Sequence, residues 1–339
     1  WDTTLVPSTP VGVWRVTSTN DPSVSDTNDT LFAVRNDPLF YYVNDSSTNG
    51  DVYCSATGTN SNTGAFSNAP KASVQDVINT YDLEPGDTIY VDTGIYPLTA
   101  SIQPGVFDAG SATNRISLIG STNYASGGTR FTGYGIDMNA VGGWALRHFA
   151  VSGAAKGVRL FQADDVLVEW VQTYGGVFGF EINDCERSVL RHCAASGNSA
   201  QGVYNRKGYD TIWDHGVVWS NLYGIYMDEG SMQVQNTVIG AFGSGSRAYY
   251  YRERSVSDVF DCDYNNIYLT AGAYAGYLDT LSGPDYDVVY ENASRWIRDF
   301  GVDRHSLSHV PLFADAANRD FHLQTQAPDG RYVHGLGFV

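Results

Sequence analysis

Glu181, Arg206 and Asp228 carry the strongest chemical suggestion in this 339-residue chain: two carboxylates with a guanidinium between them. A glycoside-cleaving pair needs carboxylates about 5–5.5 Å apart for retention or about 6.5–9.5 Å for inversion. If the two acids sit two rungs apart in a stack of strands, their backbones are ~9.6 Å from one another, the inverting range. Arg206 would then hold a sugar hydroxyl or depress a carboxylate pKa. The same three residues also make a plain salt-bridge row. A lyase would need a base for the proton α to a uronate carboxylate and a cation to neutralise that carboxylate. Lys207 with Arg206 or Arg252 supplies the only such set.

Aromatic residues accompany the charges. Phe161, Tyr204, Tyr226, Tyr249 and Tyr251 are expected to face outward and to contact a glycan by stacking. His148 and His192 recur in Leu-Arg-His, with Trp170, His215 and Asn236 in or beside the same register. Their spacing predicts a stacked corner ladder, because two His two rungs apart cannot both reach a zinc at about 2.0–2.1 Å. No metal site is assigned. Calcium is the one cofactor the sequence admits, through Asp258, Asp261 and Asp263, although the glycine and terminal Glu of an EF-hand are absent. Cys54, Cys185, Cys193 and Cys262 form no disulfide framework, and Cys185 and Cys193 read as small core residues.

A repeat must position these groups. From Gly135 to about Gly245 the chain recurs every 22 or 23 residues, each unit opening on Gly at 135, 157, 179, 202 and 224. Each runs through a short alternating strand, a turn, a second apolar strand and a Ser/Gly/Asn turn. Such a unit cannot bury its own apolar face and must stack on its neighbours. Alternation predicts an inward set of Val158/Leu160, Phe180/Ile182, Val203, Ile225/Met227 and Ala248/Tyr250. The outward set is then Arg159/Phe161, Glu181/Asn183, Tyr204/Arg206, Tyr226/Asp228 and Tyr249/Tyr251. The expected fold is all-β: a right-handed parallel β-helix of roughly eight to ten coils, with an N-terminal capping helix and a partial β-sandwich segment at the N-terminus.

Three segments support resemblances. Residues 39–100 contain Tyr42-Val43, Gly58-x-Asn60-x-x-x-Gly64, Ala69-Pro70-x-Ala72-Ser73-Val74-Gln75, Pro85-Gly86-Asp87-Thr88-Ile89-Tyr90-Val91 and Gly94-Ile95-Tyr96. This opening resembles the right-handed parallel β-helix (pectate-lyase-like) superfamily. Val74, Val77, Ile78 and Leu83 at helical spacing, with Ser73 as N-cap, predict the lid of the solenoid. Residues 1–36 predict two strands, Gly12–Ser18 and Thr30–Arg35, around a polar loop. With Ser25, Asp26, Asn28, Asp29 and Phe32-Ala33-Val34 they resemble the last strands of immunoglobulin-like β-sandwich modules of large surface proteins. Residues 309–323 resemble the Pro-Leu-Phe-x-Asp-x-x-x-x-Asp-Phe-His-Leu segment that follows β-helices in multi-modular bacterial surface proteins. The organisation expected is therefore sandwich strands over 1–36, a linker over 37–50, the β-helix over 51–308 with a strand near Tyr286–Tyr290, and a C-terminal extension over 309–339. The start at Trp1 without Met, and the apolar 330–339 stretch, suggest a processed or excised piece.

Composition narrows the function classes. Seven Trp, 23 Tyr and 36 Gly with 17% charged residues suit a turn-rich extracellular β protein. A net charge of −17 argues against nucleic acid, which needs clustered Lys and Arg, and against polyanionic glycans unless calcium bridges them. No apolar run is long enough to insert in a membrane. The Gly-flanked acidic pairs of polygalacturonase-like enzymes, the Asn-Gly motif with paired Lys and Arg of β-helix alginate and chondroitin lyases, and the Asp-Pro-His of epimerases are not recognisable. The best reading is a non-catalytic, secreted or cell-surface module of a large, filament-forming or adhesive protein. Its partners would be itself, neighbouring modules of the same protein, or a polysaccharide. The competing reading is a carbohydrate-active enzyme, a glycoside hydrolase before a polysaccharide lyase, working on the outward face of the first sheet.

Overall fold

Each Gly-initiated unit alternates apolar and polar residues and breaks at corners where the backbone turns left-handed, so its strands pair with the same strands of the next unit. The computed structural model describes residues 6–34, 36–37, 39–253, 255, 257–279 and 288–324, and in it this pairing builds a right-handed parallel β-helix. The first sheet stacks Ile136–Asn139, Lys156–Phe161, Phe178–Glu186, Gln201–Asp214, Tyr223–Gln235, Arg247–Arg252 and Tyr274–Asp279, all parallel. Two further parallel ladders complete the coil; one of them begins at Phe40–Val43 and Thr88–Val91. There are about six full turns, fewer than eight to ten, because the coils before Ile136 lack a first-sheet strand. Only an isolated bridge at Ile102 reaches that sheet there.

The opening glycines have a steric cause. Coils are closest there, and a Cβ on Gly157 would sit 2.5 Å from the Gly179 carbonyl oxygen. The corners use non-glycine residues in the left-handed region, in columns: Ala140, Gln162, Asp184, Lys207 and Glu229 at one, and His148, Trp170, His192, His215, Asn236 and Tyr264 at another, with φ between 50° and 73°. This conformation carries a strain cost for non-glycine residues, which the column contacts described below offset.

The inward residues Val158, Leu160, Phe180, Ile182, Val203, Ile225 and Met227 are all buried in one continuous core. The next coil departs from expectation. Tyr249 pairs with Ile225 and Tyr251 with Met227, so both tyrosines point inward and are buried, while Tyr250 pairs with Tyr226 and points outward. The turn through Gly243 and Gly245, both at positive φ, lengthens that unit by one residue. A one-residue slip sends every side chain of a strand to the opposite face. Tyr249 and Tyr251 are therefore core residues and not glycan contacts.

Helix α1 (Val74–Thr80) is capped by Ser73, whose hydroxyl accepts from the Asp76 amide at 3.0 Å, and it buries Val74, Val77 and Ile78. A second helix, α2 (Ala293–Phe300), closes the other end of the core. The sequence carried its signs, with Asn292 as N-cap, Trp296, Ile297 and Phe300 on one face, and Gly301 left-handed at the C-cap. Val288–Tyr290 is a strand, antiparallel to Tyr274–Asp279; Tyr286 and Asp287 lie outside the described residues.

At the N-terminus, Thr9–Gly12 pairs antiparallel with Phe32–Val34, and Arg15–Thr17 with Ser25–Thr27. The strand expected over Gly12–Ser18 is thus split around Val13–Trp14, where the Asn28 side chain accepts from the Trp14 amide at 2.7 Å, and the polar loop contributes a strand of its own. Residues 309–323 form a hairpin, Phe313–Asp315 with Asp320–Leu323. Phe313 and Phe321 seat it on Ala194, Val217 and Val238 of the solenoid. The final stretch, residues 330–339, lies outside the described residues. All four cysteines are buried free thiols; burial pushes Cys185 up to about 11 and Cys193 up to about 12. No described helix is long and apolar enough to cross a membrane.

Candidate functional site

Two outward columns run along the first sheet. One is Asp137, Arg159, Glu181, Tyr204, Tyr226, Tyr250 and Tyr277; the other is Asn139, Phe161, Asn183, Arg206, Asp228, Arg252 and Asp279. Glu181 and Asp228 therefore stand in different columns, two rungs and two residues apart, with backbones roughly 12 Å from each other. That is wider than the ~9.6 Å backbone spacing expected for two residues of one column.

The charges of this face are organised by contact with neighbouring coils. Lys156 Nζ lies 2.7 Å from Glu181 and Arg159 lies 3.9 Å from it, while Arg159 also reaches Asp137 at 3.0 Å. Arg252 bridges Asp279 at 2.8 Å and Asp228 at 3.9 Å. The Tyr204 hydroxyl donates to Asp228 at 3.4 Å. Arg206 is exposed in register beside Asp228. Lys207, the candidate base, sits at a left-handed corner with its ammonium 3.8 Å from Glu229. Phe161 lies under the Arg159 guanidinium at 4.5 Å.

The tyrosines form a continuous row. Ring centroids are 5.0 Å apart for Tyr204 and Tyr226, 4.2 Å for Tyr226 and Tyr250, and 4.6 Å for Tyr250 and Tyr277. Phe178 stacks on Tyr204 at 6.0 Å, and Arg247 lies over Tyr277 at 4.8 Å. Successive rings are tilted by 44°, 38° and 38° to one another. Burial holds the phenols of Tyr204, Tyr226 and Tyr250 above the ordinary value, so they remain O–H donors at neutral pH. Tyr250 was expected inward and stands outward instead, while Tyr277 and Arg247 carry no sign in the repeat; the double-glycine turn at 243–245 is the signal that the period changes.

A second charged column edges another face: Arg147, Glu169, Arg191 and Asp214 in register. Glu169 is 8% exposed and bonded by Arg147 at 2.7 Å and by Arg191. Burial pushes its carboxyl up, but the two guanidiniums outweigh this and the net shift is downward. A carboxylate whose folded pKa is depressed contributes stability above its unfolded value, lost as pH falls through the folded one. Glu169→Gln is expected to cost about 1–2 kcal/mol at neutral pH, modest because both arginines are partly solvated. The gap between variant and parent in urea titrations should close as pH drops below 4.5, the ordinary Glu value.

The corner ladder forms as expected. Trp170 lies parallel to His192 at 4.3 Å and to His148 at 6.3 Å, and His192 approaches His215 at 5.3 Å. Two of the acids named for calcium have protein partners. Asp258 accepts the Gly230 and Ser255 amides at 2.9 and 2.7 Å, and Asp263 pairs with His305 at 2.7 Å. Among the described residues no three His, Cys, Asp or Glu side chains converge on a metal-sized position.

Residues 134–282 match the family model described as the right handed beta helix region. The matched residues cover less than half of the chain and coincide with the coils from Ile136 to Asp279. They contain both outward columns, from Asp137 to Asp279. No curated protein matches the sequence significantly. Among solved structures, pectate lyase Pel9A is 13% identical with a TM-score of 0.46, covering 70% of this chain and 79% of that one. A rhamnogalacturonan lyase is 12% identical with a TM-score of 0.42, covering 80% and 87%. Pectate lyase Bsp165PelA from Bacillus sp. N165, solved with trigalacturonate, is 12% identical with a TM-score of 0.43, covering 69% and 90%.

Proposed function

We propose that this chain is a non-catalytic extracellular β-helix module of a large cell-surface or filament-forming protein, and that it contacts a glycan along the Tyr204–Tyr226–Tyr250–Tyr277 row. The observation that carries this reading is the row itself, flanked by carboxylates that each already face a cation of the same or an adjacent coil. Phenols carried on rings 4.2–5.0 Å apart suit hydrogen bonding to successive sugar hydroxyls. Glu181, buried against Lys156, is poorly placed to donate a proton to a leaving group.

Calorimetric titration with neutral and acidic oligosaccharides tests binding, and assays of reducing ends and unsaturated products test turnover. Binding without product is expected, weakened about tenfold by Tyr226→Ala and Tyr250→Ala. Product formation that disappears in Glu181→Gln or Asp228→Asn would replace this reading with an enzymatic one.

A further inference from the structure

A cavity of about 420 Å3 opens away from the tyrosine row, where the histidine–tryptophan corner meets the C-terminal hairpin. One wall is the His148–Trp170–His192 ladder, the opposite wall is the hairpin turn from Asn318 to His322, and Gln172 also lines it. The hairpin wall is held in place by Phe313 and Phe321 on the solenoid and by the Arg319 guanidinium, 4.0 Å above the Tyr174 ring. A packed hairpin thus turns an open solenoid face into a concave site, of the size range used for small molecules.

The lining chemistry selects the ligand. Burial, with the neighbouring Arg147 and, for His192, His215 and Arg191, holds the imidazoles of His148 and His192 below their usual value. At neutral pH each ring is uncharged and can hydrogen-bond a ligand without a net charge. Tyr124 fixes His148 through a 2.7 Å hydroxyl–Nδ1 hydrogen bond. Gln172 adds an amide, and the hairpin's Asp320 is paired with His322 at 2.5 Å. Neutral donors and acceptors on an aromatic frame match a ring bearing several hydroxyls. The two charged side chains of the turn are already engaged, Arg319 over the Tyr174 ring and Asp320 with His322.

We propose that the groove between the His148–Trp170–His192 ladder and the Asn318–His322 turn binds an uncharged saccharide. This site is separate from the tyrosine row and does not depend on it. The test is 19F NMR of protein carrying 5-fluorotryptophan, with the Trp170 resonance identified by its loss in Trp170→Phe. Cellobiose, maltose and lactose are titrated, with digalacturonate as the charged comparison. The Trp170 resonance should shift saturably with at least one neutral disaccharide. Gln172→Leu and, on the exposed hairpin, His322→Ala should each raise the midpoint about tenfold, whereas Tyr226→Ala should leave it unchanged. A static Trp170 resonance at about 20 mM of every neutral sugar overturns the proposal. So does a response to digalacturonate alone, or an unchanged midpoint in both groove variants. Failure of the tyrosine-row reading would show instead as calorimetric binding insensitive to Tyr226→Ala.

Discussion

Asp92→Ala is expected to lower folding stability by about 4 kcal/mol or more, the largest single-residue effect in the N-terminal half. Asp92 is fully buried at the end of the Thr88–Val91 strand. Its carboxylate accepts four backbone amides: Val52 and Thr93 on one oxygen at 2.7 and 2.8 Å, Tyr53 and Cys54 on the other at 2.7 and 2.6 Å. Three of these donors belong to the loop that folds over the first coil, and alanine would leave all four facing a methyl group. Each buried donor stripped of its acceptor costs about 1–3 kcal/mol, and water entering the gap recovers part of that. Asp92→Asn keeps one carbonyl oxygen and should fall between parent and alanine variant. Urea unfolding measured by far-ultraviolet circular dichroism gives the order; equal midpoints for the three proteins would show that the loop is held by something else.

Trp296→Ala should cost about 3–5 kcal/mol, the range for emptying a fully buried large aromatic site. Trp296 stacks on Tyr249 with centroids 5.1 Å apart, meets Tyr290 edge-on at 5.3 Å and Phe300 at 4.6 Å. Its indole nitrogen donates to Asp303 at 2.9 Å. Asp303 is fully buried, and burial raises its carboxyl pKa in spite of hydrogen bonds from Ser306, Asn265 and Trp296. Losing the indole removes both the plug and one of the bonds to this carboxyl. Trp296→Phe retains the plug and should recover more than half of the loss. In a solenoid each coil leans mainly on its neighbours, so opening should start at the uncapped end. Hydrogen exchange in Trp296→Ala is expected to accelerate first in Arg247–Arg252 and Tyr274–Asp279, while Lys156–Phe161 stays protected. Uniform acceleration along the coil would contradict the capping role.

The inward residues of four successive coils, Val158 through Met227, were legible because alternation over a Gly-initiated period leaves only one face for them. Helix α1 was legible from Ser73 and its apolar spacing, and the corner ladder from recurring Leu-Arg-His. Helix α2 carried equally plain signs, Asn292, Trp296 and Gly301, but it follows a loosened repeat and so was passed over. The fifth coil was misread for a different reason: one extra turn residue is invisible in composition, yet it exchanges Tyr249 and Tyr251 for Tyr250 on the outer face.

By itself the amino-acid sequence determined the solenoid, the core of its regular coils and its N-terminal lid, because glycines at close backbone approaches and period-two apolarity are local properties repeated many times. Which side chains meet outside the core was decided only by tertiary structure. Offset along a strand placed Glu181 and Asp228 in separate columns, and the return of a distant hairpin onto Ala194, Val217 and Val238 created the groove beside Trp170. Both depend on register and long-range packing, and neither leaves a periodic trace in the chain.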